Sequence, residues 1–251
     1  MRSDIIKTGT LRMIKHLREK FDEESEYQIR DNSLYLNVIQ FPDRHALTRT
    51  RFLSLGMRNL TGIPNSVFED SQFAEVNIVD LCKNQLTAVP EGLVLLKNKL
   101  TELNLSANKL KIIPDFLSAC TSLHFLDVSK NALRDLPDGM GNLKRMREII
   151  ISNNKFQSIP ECIYELKGLE VLNATDNMIS EIDVSNLKKL KRLATLALTN
   201  NNINFVPPEL GTLTHLRSLE LVGNSFRQPR YTVLEQGTES ILSYLRNRIQ
   251  Q

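Results

Sequence analysis

The stretch "LTELNLSANKLKIIP", residues 100–114, decides the fold of this chain because it recurs in variant form further along. The next copies are "LHFLDVSKNALRDLP", residues 123–137, and "MREIIISNNKFQSIP", residues 146–160. All three follow the pattern L-x-x-L-x-L-x-x-N-x-L-x-x-L-P, in which other apolar residues replace some leucines. Self-similarity at a fixed period of this length indicates a solenoid built from stacked repeats.

The repeat covers most of the chain. Counted at its second apolar position, successive copies lie 23 to 26 residues apart. The eight anchor residues are Leu53, Val79, Leu103, Leu126, Ile149, Leu172, Leu196 and Leu219. One repeat cannot bury its leucines alone, whereas a stack of repeats can. The pattern therefore predicts an α/β leucine-rich repeat solenoid, curved, with a parallel sheet on its concave face.

Each position in the repeat has a predicted structural role. In L-x-L the two apolar residues share one face of a short strand. A proline closes the turn in most copies, and an asparagine three residues after the second leucine is suited to bond backbone groups of the turn. We interpret these asparagines as a structural ladder rather than as ligands. They are Asn84, Asn108, Asn131, Asn154, Asn177, Asn201 and Asn224.

Two copies depart from the pattern. The first has Arg58 where asparagine is expected, and the sixth has Ala174 in a leucine position and Asp183 in place of proline. We expect a local irregularity in the sixth copy.

The two ends of the chain resemble each other. "RSDIIKTGTLRMIKHLR", residues 2–18, aligns with "RYTVLEQGTESILSYLR", residues 230–246. In the second segment Thr238 is a predicted helix N-cap, and Leu242, Leu245 and Ile249 form one apolar face that would cap the stack. The first segment is interpreted as the cap of a preceding repeat block, or alternatively as a helix re-used as an N-terminal cap.

These features divide the chain into four regions. We predict a cap-like helix over residues 1–24, a linker and N-terminal edge over 25–50, eight repeats over 51–226, and a C-terminal cap helix over 227–251.

The segment "GNSFRQPRYTVLEQGTESILSYLRNRI", residues 223–249, resembles the C-terminal signature of the family of leucine-rich repeat-containing protein forty. The resemblance implies an interaction protein with two repeat blocks, of which this chain would be the C-terminal half. More distantly, the repeats resemble intracellular scaffolds such as the Ras-pathway protein Shoc2.

Composition argues against several function classes. The formal net charge is only +3 over 251 residues, which does not suggest nucleic-acid binding. No apolar run is long enough to span a membrane. Cys82, Cys120 and Cys162 form no close pair, which favours a reducing compartment. The histidines have no metal-ligand spacing, and no catalytic motif is present, so we expect no enzyme activity, cofactor or metal.

Binding is the remaining function, and the concave face is the expected site. Apolar side chains occupy strand positions there where polar ones are expected, which indicates either a protein-binding patch or cross-strand contacts that only stiffen the sheet. Charged residues at the strand edges complete the set. The candidate partner-binding residues are Phe52, Ile78, Asp80, Lys83, His124, Phe125, Asp127, Lys130, Arg147, Ile150 and Val171.

The sequence therefore predicts a non-catalytic scaffold for intracellular signalling. Its partners would be one or more proteins, with no nucleic acid, membrane insertion or small-molecule substrate. The alternative is an adaptor subunit of an enzyme complex, such as a phosphatase or ubiquitin ligase. We expect the cytoplasm as the compartment, with the nucleus as the second choice.

Overall fold

The structure is a computed structural model that describes residues 41–249. The expected helix within residues 1–24 lies outside the described residues. Within the described range, eight three-residue strands form a single parallel sheet whose spatial order equals their sequence order. The strands are β1 Phe52–Ser54, β2 Ile78–Asp80, β3 Glu102–Asn104, β4 Phe125–Asp127, β5 Glu148–Ile150, β6 Val171–Asn173, β7 Thr195–Ala197 and β8 Ser218–Glu220. This sheet confirms the predicted solenoid.

Short helical segments connect the strands on the opposite side. The α-helices are α1 Arg44–Thr50, α2 Asn65–Phe73, α3 Glu161–Tyr164, α4 Val184–Leu187, α5 Tyr231–Leu234 and α6 Thr238–Ile249. Single 3-10 turns span Glu91–Leu96, Asp115–Ala119, Asp138–Asn142 and Pro208–Thr212. Helical segments are wider than strands, so stacking one of each per repeat makes the sheet side concave.

The core runs without interruption through the stack. The middle residue of each strand pairs in register with the middle residue of the next strand, as Leu103 does with Leu126. All eight middle residues are at most 4% exposed, and they are the eight anchor residues of the repeat. Burying a leucine-sized side chain stabilises the fold by about 1.5–3 kcal/mol. The inward row therefore contributes to the stability of every repeat, together with the other buried apolar residues of the core.

Asparagine side chains join consecutive repeats. Nδ2 of Asn108 donates to the carbonyl of Leu105 in its own turn and to that of Leu81 in the preceding repeat, both at 3.0 Å. Its Oδ1 accepts from the backbone N–H of Leu86, also in the preceding repeat, at 3.1 Å. The same three contacts recur for the other six asparagines named above. Each side chain thus satisfies backbone groups of two repeats.

The residue before each ladder asparagine has a left-handed backbone. Ala107 has φ 55°, Lys130 has φ 54°, and Gly223 has φ 76°. Only glycine adopts this conformation without strain. The N–H of these residues continues the inter-strand bonding, since Ala107 donates to the carbonyl of Ser129 at 2.8 Å. The left-handed residue lies three residues after the strand, directly before the asparagine whose side chain bonds the turn.

The sixth repeat accommodates its departures locally. Ala174 is fully buried in the leucine position. Asp183, which replaces proline, caps helix α4 because its side chain accepts from the N–H of Asn186 at 3.0 Å. Its second oxygen accepts from Nδ2 of Asn186 at 2.8 Å. An aspartate therefore begins the helical segment here in place of the usual proline.

The region predicted as a linker and N-terminal edge, residues 25–50, contains a short helix in its described part. Residues 44–50 form α1, whose N-cap Asp43 accepts from the N–H of Ala46 at 2.7 Å. Leu47 is fully buried and joins the core of the stack. A seven-residue helix whose only large apolar residue is Leu47 gives no periodic signal, so the repeat pattern does not predict it.

The C-terminal cap differs from prediction in two details. Thr238 is the first residue of α6 rather than its N-cap, and its hydroxyl accepts from the N–H of Leu219 in β8 at 2.9 Å. Ile249 is 45% exposed, while Ile241 is buried beside Leu242 and Leu245. The buried stripe therefore ends one turn earlier than expected, at Leu245 rather than at Ile249.

Among the residues that the structure describes, no helix combines the length and the apolar character needed to cross a membrane.

Candidate protein-binding face

The first and third residues of each strand form the concave face, because side chains alternate along a strand and the middle residue points into the core. They form two rows across the sheet. The first row runs Phe52, Ile78, Glu102, Phe125, Glu148, Val171, Thr195, Ser218. The third row runs Ser54, Asp80, Asn104, Asp127, Ile150, Asn173, Ala197, Glu220.

Three of the candidate binding residues have almost no accessible surface. Phe52 is 3% exposed, Phe125 is 2% exposed, and Asp80 is fully buried. A partner gains contact area only from surface that is accessible, so these three side chains contribute little to a docking surface in this structure.

The accessible part of the candidate set lies on β2, β4, β5 and β6. Ile78, Ile150 and Val171 are half-buried apolar residues. Asp127 is also half-buried, while Lys83 and Lys130 are exposed at the two left-handed positions after β2 and β4. His124 and Arg147 precede β4 and β5, and their side chains are 42% and 41% exposed. Strand β3 separates Ile78 and Lys83 from the other residues of the set, which lie on or beside the adjacent strands β4, β5 and β6.

Arg147 is held at the edge of the sheet rather than over it. Its Nη1 donates to the carbonyl of Gly168 at 3.1 Å, and its Nε lies 3.6 Å from Oε1 of Glu170. The same carboxylate oxygen contacts Nη2 of Arg192 at 2.9 Å. This guanidinium is therefore already engaged by groups at the strand entrance.

Three carboxylates occupy the centre of the concave face. Glu102 and Glu148 flank Phe125 in the first row, and Asp127 follows Phe125 in the third row of the same strand. Glu102 is only 6% exposed. We call Glu102, Asp127 and Glu148 the acidic cluster.

Burial and mutual repulsion shift the acidic cluster toward its neutral forms. Burial, followed by the charges of Asp127 and Glu102, raises the pKa of Glu148 to about 7. Burial also raises the pKa of Glu102. For Asp127, burial raises the pKa against the opposing effect of hydrogen bonds from Ser129.

His124 does not neutralise the negative charge of these carboxylates through a hydrogen bond or an ion pair. Its Nε2 lies 3.8 Å from Oε1 of Glu102, which is too long for a hydrogen bond. Burial and the charge of Arg147 lower the pKa of His124, which disfavours the charged imidazolium that an ion pair with Glu102 would need.

The candidate residues predicted from the sequence do not include Glu102 and Glu148. A signal is present in the sequence, since both acids occupy the same strand position on either side of Phe125. The sequence does not show whether these acids have partners, because that depends on which side chains the fold brings near them.

The cysteines and the possible metal ligands of the described residues do not form a reactive site. Cys82, Cys120 and Cys162 are buried and carry no disulfide. Burial raises the pKa of the Cys120 thiol to about 11 and that of Cys162 to about 12, so neither is an activated nucleophile. Within residues 41–249, no group of three or more His, Cys, Asp or Glu side chains is placed to hold a metal ion.

A second surface lies away from the strands, between the second and third repeats. It is a groove of about 620 Å³ whose lining includes Val94, Ile112 and Phe116. Ile112 is 75% exposed there. This groove is more apolar than the concave face and lacks its cluster of charges.

Comparison with known proteins places these features in context. A family profile described as "Leucine-rich repeat region" matches residues 115–251, and one described as "Leucine rich repeat" matches residues 74–133.

Several solved structures are similar. A leucine-rich repeat protein of Leptospira interrogans is 33% identical with a TM-score of 0.60, covering 66% of this chain and 41% of its own. The ectodomain of the Arabidopsis thaliana receptor kinase GASSHO1, solved in complex with CASPARIAN STRIP INTEGRITY FACTOR 2, is 30% identical with a TM-score of 0.55. That match covers 65% of this chain and 20% of the receptor chain.

An internalin C2 of Listeria monocytogenes shares the fold at 24% identity and a TM-score of 0.61, over 74% of this chain and 77% of its own. This chain thus spans well under two thirds of the first two of these proteins.

Proposed function

The chain belongs to the leucine-rich repeat proteins, and from that premise we propose that its concave face binds another protein and catalyses no reaction. Leucine-rich repeat domains are generally interaction modules that use an extended concave surface. One observation carries the proposal for this chain: Ile78, Ile150 and Val171 remain partly accessible beside charged side chains on a rigid, fully registered sheet. Accessible apolar groups rimmed by polar ones are typical of protein interaction sites.

The similar plant receptor ectodomain supports this proposal, since it was solved in complex with CASPARIAN STRIP INTEGRITY FACTOR 2. We propose a partner-binding set consisting of Ile78, Lys83, His124, Asp127, Lys130, Arg147, Ile150 and Val171, with the buried Phe52, Asp80 and Phe125 beneath or beside it.

We further propose that the chain acts as a scaffold in intracellular signalling, in the cytoplasm. The support is the sequence resemblance to the family of leucine-rich repeat-containing protein forty and, more distantly, to Shoc2-like scaffolds. The same resemblance supports the proposal that this chain corresponds to the C-terminal half of a protein with two repeat blocks. The alternative is an adaptor subunit of a phosphatase or ubiquitin ligase, which would be recognised by a co-purifying catalytic subunit.

A quantitative pull-down from cell extract tests the proposal. The concave variant Lys130→Glu/Ile150→Gln is compared with wild type and with the matched variant Lys111→Glu/Ile112→Gln, which makes the same chemical changes beside the groove. We expect the concave variant to lose specific partners, because each truncated anchor costs about 1–4 kcal/mol of binding free energy. Partners lost only from the groove variant would contradict the concave site and would place binding on the opposite surface.

A further inference from the structure

The acidic cluster is assembled by the register of three adjacent strands. Glu102 in β3, Phe125 in β4 and Glu148 in β5 are direct neighbours in the first row. Adjacent strands lie about 4.8 Å apart, so the backbones of Glu102 and Glu148 are about 10 Å apart. Asp127 lies two residues beyond Phe125 on the same side of β4. The three carboxylates therefore surround one small area of the concave face.

One oxygen of this cluster lacks the hydrogen bond that its burial demands. Oε2 of Glu102 is buried and has no hydrogen-bond partner. Oε1 of the same carboxyl has only the 3.8 Å approach of His124. Buried polar atoms are nearly always bonded, because an unpartnered one loses its hydration without replacement. The unpartnered Oε2 of Glu102 indicates that a hydrogen-bond donor from outside the described residues binds at this position.

The described part of the chain offers no cation to this cluster. Lys and Arg side chains form no ion pair with Glu102, Asp127 or Glu148 anywhere in residues 41–249. Arg147, the nearest guanidinium in sequence, is engaged by Gly168 and Glu170. The cluster thus combines several acceptors that no Lys or Arg of the described residues pairs with, and a cation placed among them would favour their ionised forms.

We propose that Glu102, Asp127 and Glu148 receive an arginine side chain of the partner protein, an inference that rests on the protein-binding role proposed above. A guanidinium presents five donors in a planar fork and is always charged, so it can serve several carboxylate oxygens at once. Asp127 and Glu148 are half-buried, so the guanidinium enters from their side, and the carboxyl of Glu102, which is 6% exposed, turns toward it on binding. An ammonium group has no such fork and would satisfy fewer of these oxygens.

A library of random linear peptides, displayed on their encoding messenger RNA and selected against the full chain, tests this assignment. We expect the selected peptides to be enriched in arginine. A synthetic peptide from the selection is then titrated by fluorescence anisotropy against wild type and Glu102→Gln/Glu148→Gln. The double variant should bind about tenfold more weakly or worse, since it removes two charged acceptors but keeps their shape.

Two matched controls accompany the titration. Glu220→Gln removes an exposed carboxylate from the same face at β8 and should leave affinity unchanged. Replacing the arginine of the peptide by citrulline, which is uncharged and of the same shape, should weaken binding as much as the double variant does. Replacement by lysine should weaken it less.

The outcomes separate this inference from the proposed function. Peptides without arginine enrichment, or affinities unchanged by Glu102→Gln/Glu148→Gln, would overturn the arginine receptor. An empty selection would also overturn it. The proposed function is judged independently by the pull-down, because Lys130→Glu/Ile150→Gln leaves all three carboxylates in place.

Discussion

Each ladder asparagine serves backbone groups of two repeats, so its loss leaves several buried groups without partners. Asn154 is 9% exposed. Its amide donates to the carbonyls of Val128 and Ile151 at 3.0 Å, and its oxygen accepts from the N–H of Leu133 at 3.0 Å. Alanine can replace none of these contacts.

We expect Asn154→Ala to lower the free energy of unfolding by roughly 2–4 kcal/mol, since unsatisfied buried groups cost about 1–3 kcal/mol each and partial relaxation recovers some of that. Urea unfolding followed by circular dichroism measures the change. The neighbouring Lys155→Ala, at an exposed position, is the control and should change stability by less than about 0.5 kcal/mol. Equal effects of the two substitutions would refute the structural role of the ladder.

The carboxyl of Glu148 makes stability depend on pH. Burial and the neighbouring carboxylates raise its pKa from 4.5 in the unfolded chain to about 7 in the folded protein. A carboxyl with a raised folded pKa favours the folded state while it is protonated. Its contribution is therefore fully present below about pH 4.5 and is lost as the pH rises through 7.

Glu148→Gln should make the free energy of unfolding depend less on pH in this range. Compared with wild type, the variant is expected to lose less stability between pH 5 and pH 8, as measured by urea unfolding at several pH values. Glu220→Gln, on the same face but exposed, should keep the wild-type slope. A wild-type profile that rises steadily from pH 5 to pH 8 would show that the acidic cluster is compensated in the folded protein.

At the scale of elements, the C-terminal helix α6 depends on a glycine beneath it. A Cβ atom on Gly211 would lie 2.7 Å from the backbone N of Arg246 and 2.8 Å from the carbonyl oxygen of Leu242. Both are backbone atoms of α6, so the helix itself would have to move. Nη1 of Arg246 also donates to the carbonyl of Gly211 at 3.2 Å.

Gly211→Ala should therefore loosen the cap and lower stability by about 1–3 kcal/mol through overpacking. Limited proteolysis should detect faster cleavage after residue 230, together with a lower urea midpoint. Gly62→Ala is the matched control, because no atom lies within 4 Å of its added Cβ. Unchanged cleavage in Gly211→Ala would show that α6 is not anchored at this point.

The elements also show how far the sequence predicts this fold. Strand positions and their register followed directly from the L-x-L spacing, because alternation and period leave little freedom once the leucines must be buried. The helix α1 and the exact buried face of α6 were missed. Both depend on tertiary contacts, of Leu47 and Ile241 with the stack, which a local pattern does not encode.

At the scale of the whole molecule, one continuous core runs through the stack and is formed by contacts between neighbouring repeats. Leu126 is fully buried in β4, near the middle of the row. We expect Leu126→Ala to cost about 2–5 kcal/mol of unfolding free energy. Because repeats contact only their neighbours, hydrogen exchange should accelerate most in β3 to β5 and least near α6.

Ile112→Ala, at a residue 75% exposed, is the control for that experiment and should leave the exchange pattern unchanged. A uniform loss of protection in Leu126→Ala, equal at both ends of the stack, would contradict nearest-neighbour coupling and would indicate one cooperative unit.

The binding face was less predictable than the fold. The sequence placed every strand residue on the correct side, as the rows through Phe125 and Asp127 show. It did not reveal which of them keep accessible surface, since exposure depends on side-chain packing across strands. Phe125, chosen as an anchor from its position, is 2% exposed, while Ile150 is partly accessible.

The hydrogen bonds of the asparagine ladder all run in one direction along the stack. Every ladder side chain reaches back to the preceding repeat, as Asn108 reaches Leu81 and Leu86. A ribosome releases the N-terminal part of a chain first. Each newly synthesised repeat therefore carries the asparagine that hydrogen-bonds it to the repeat made before it. A nascent chain can fold repeat by repeat in the order of its translation.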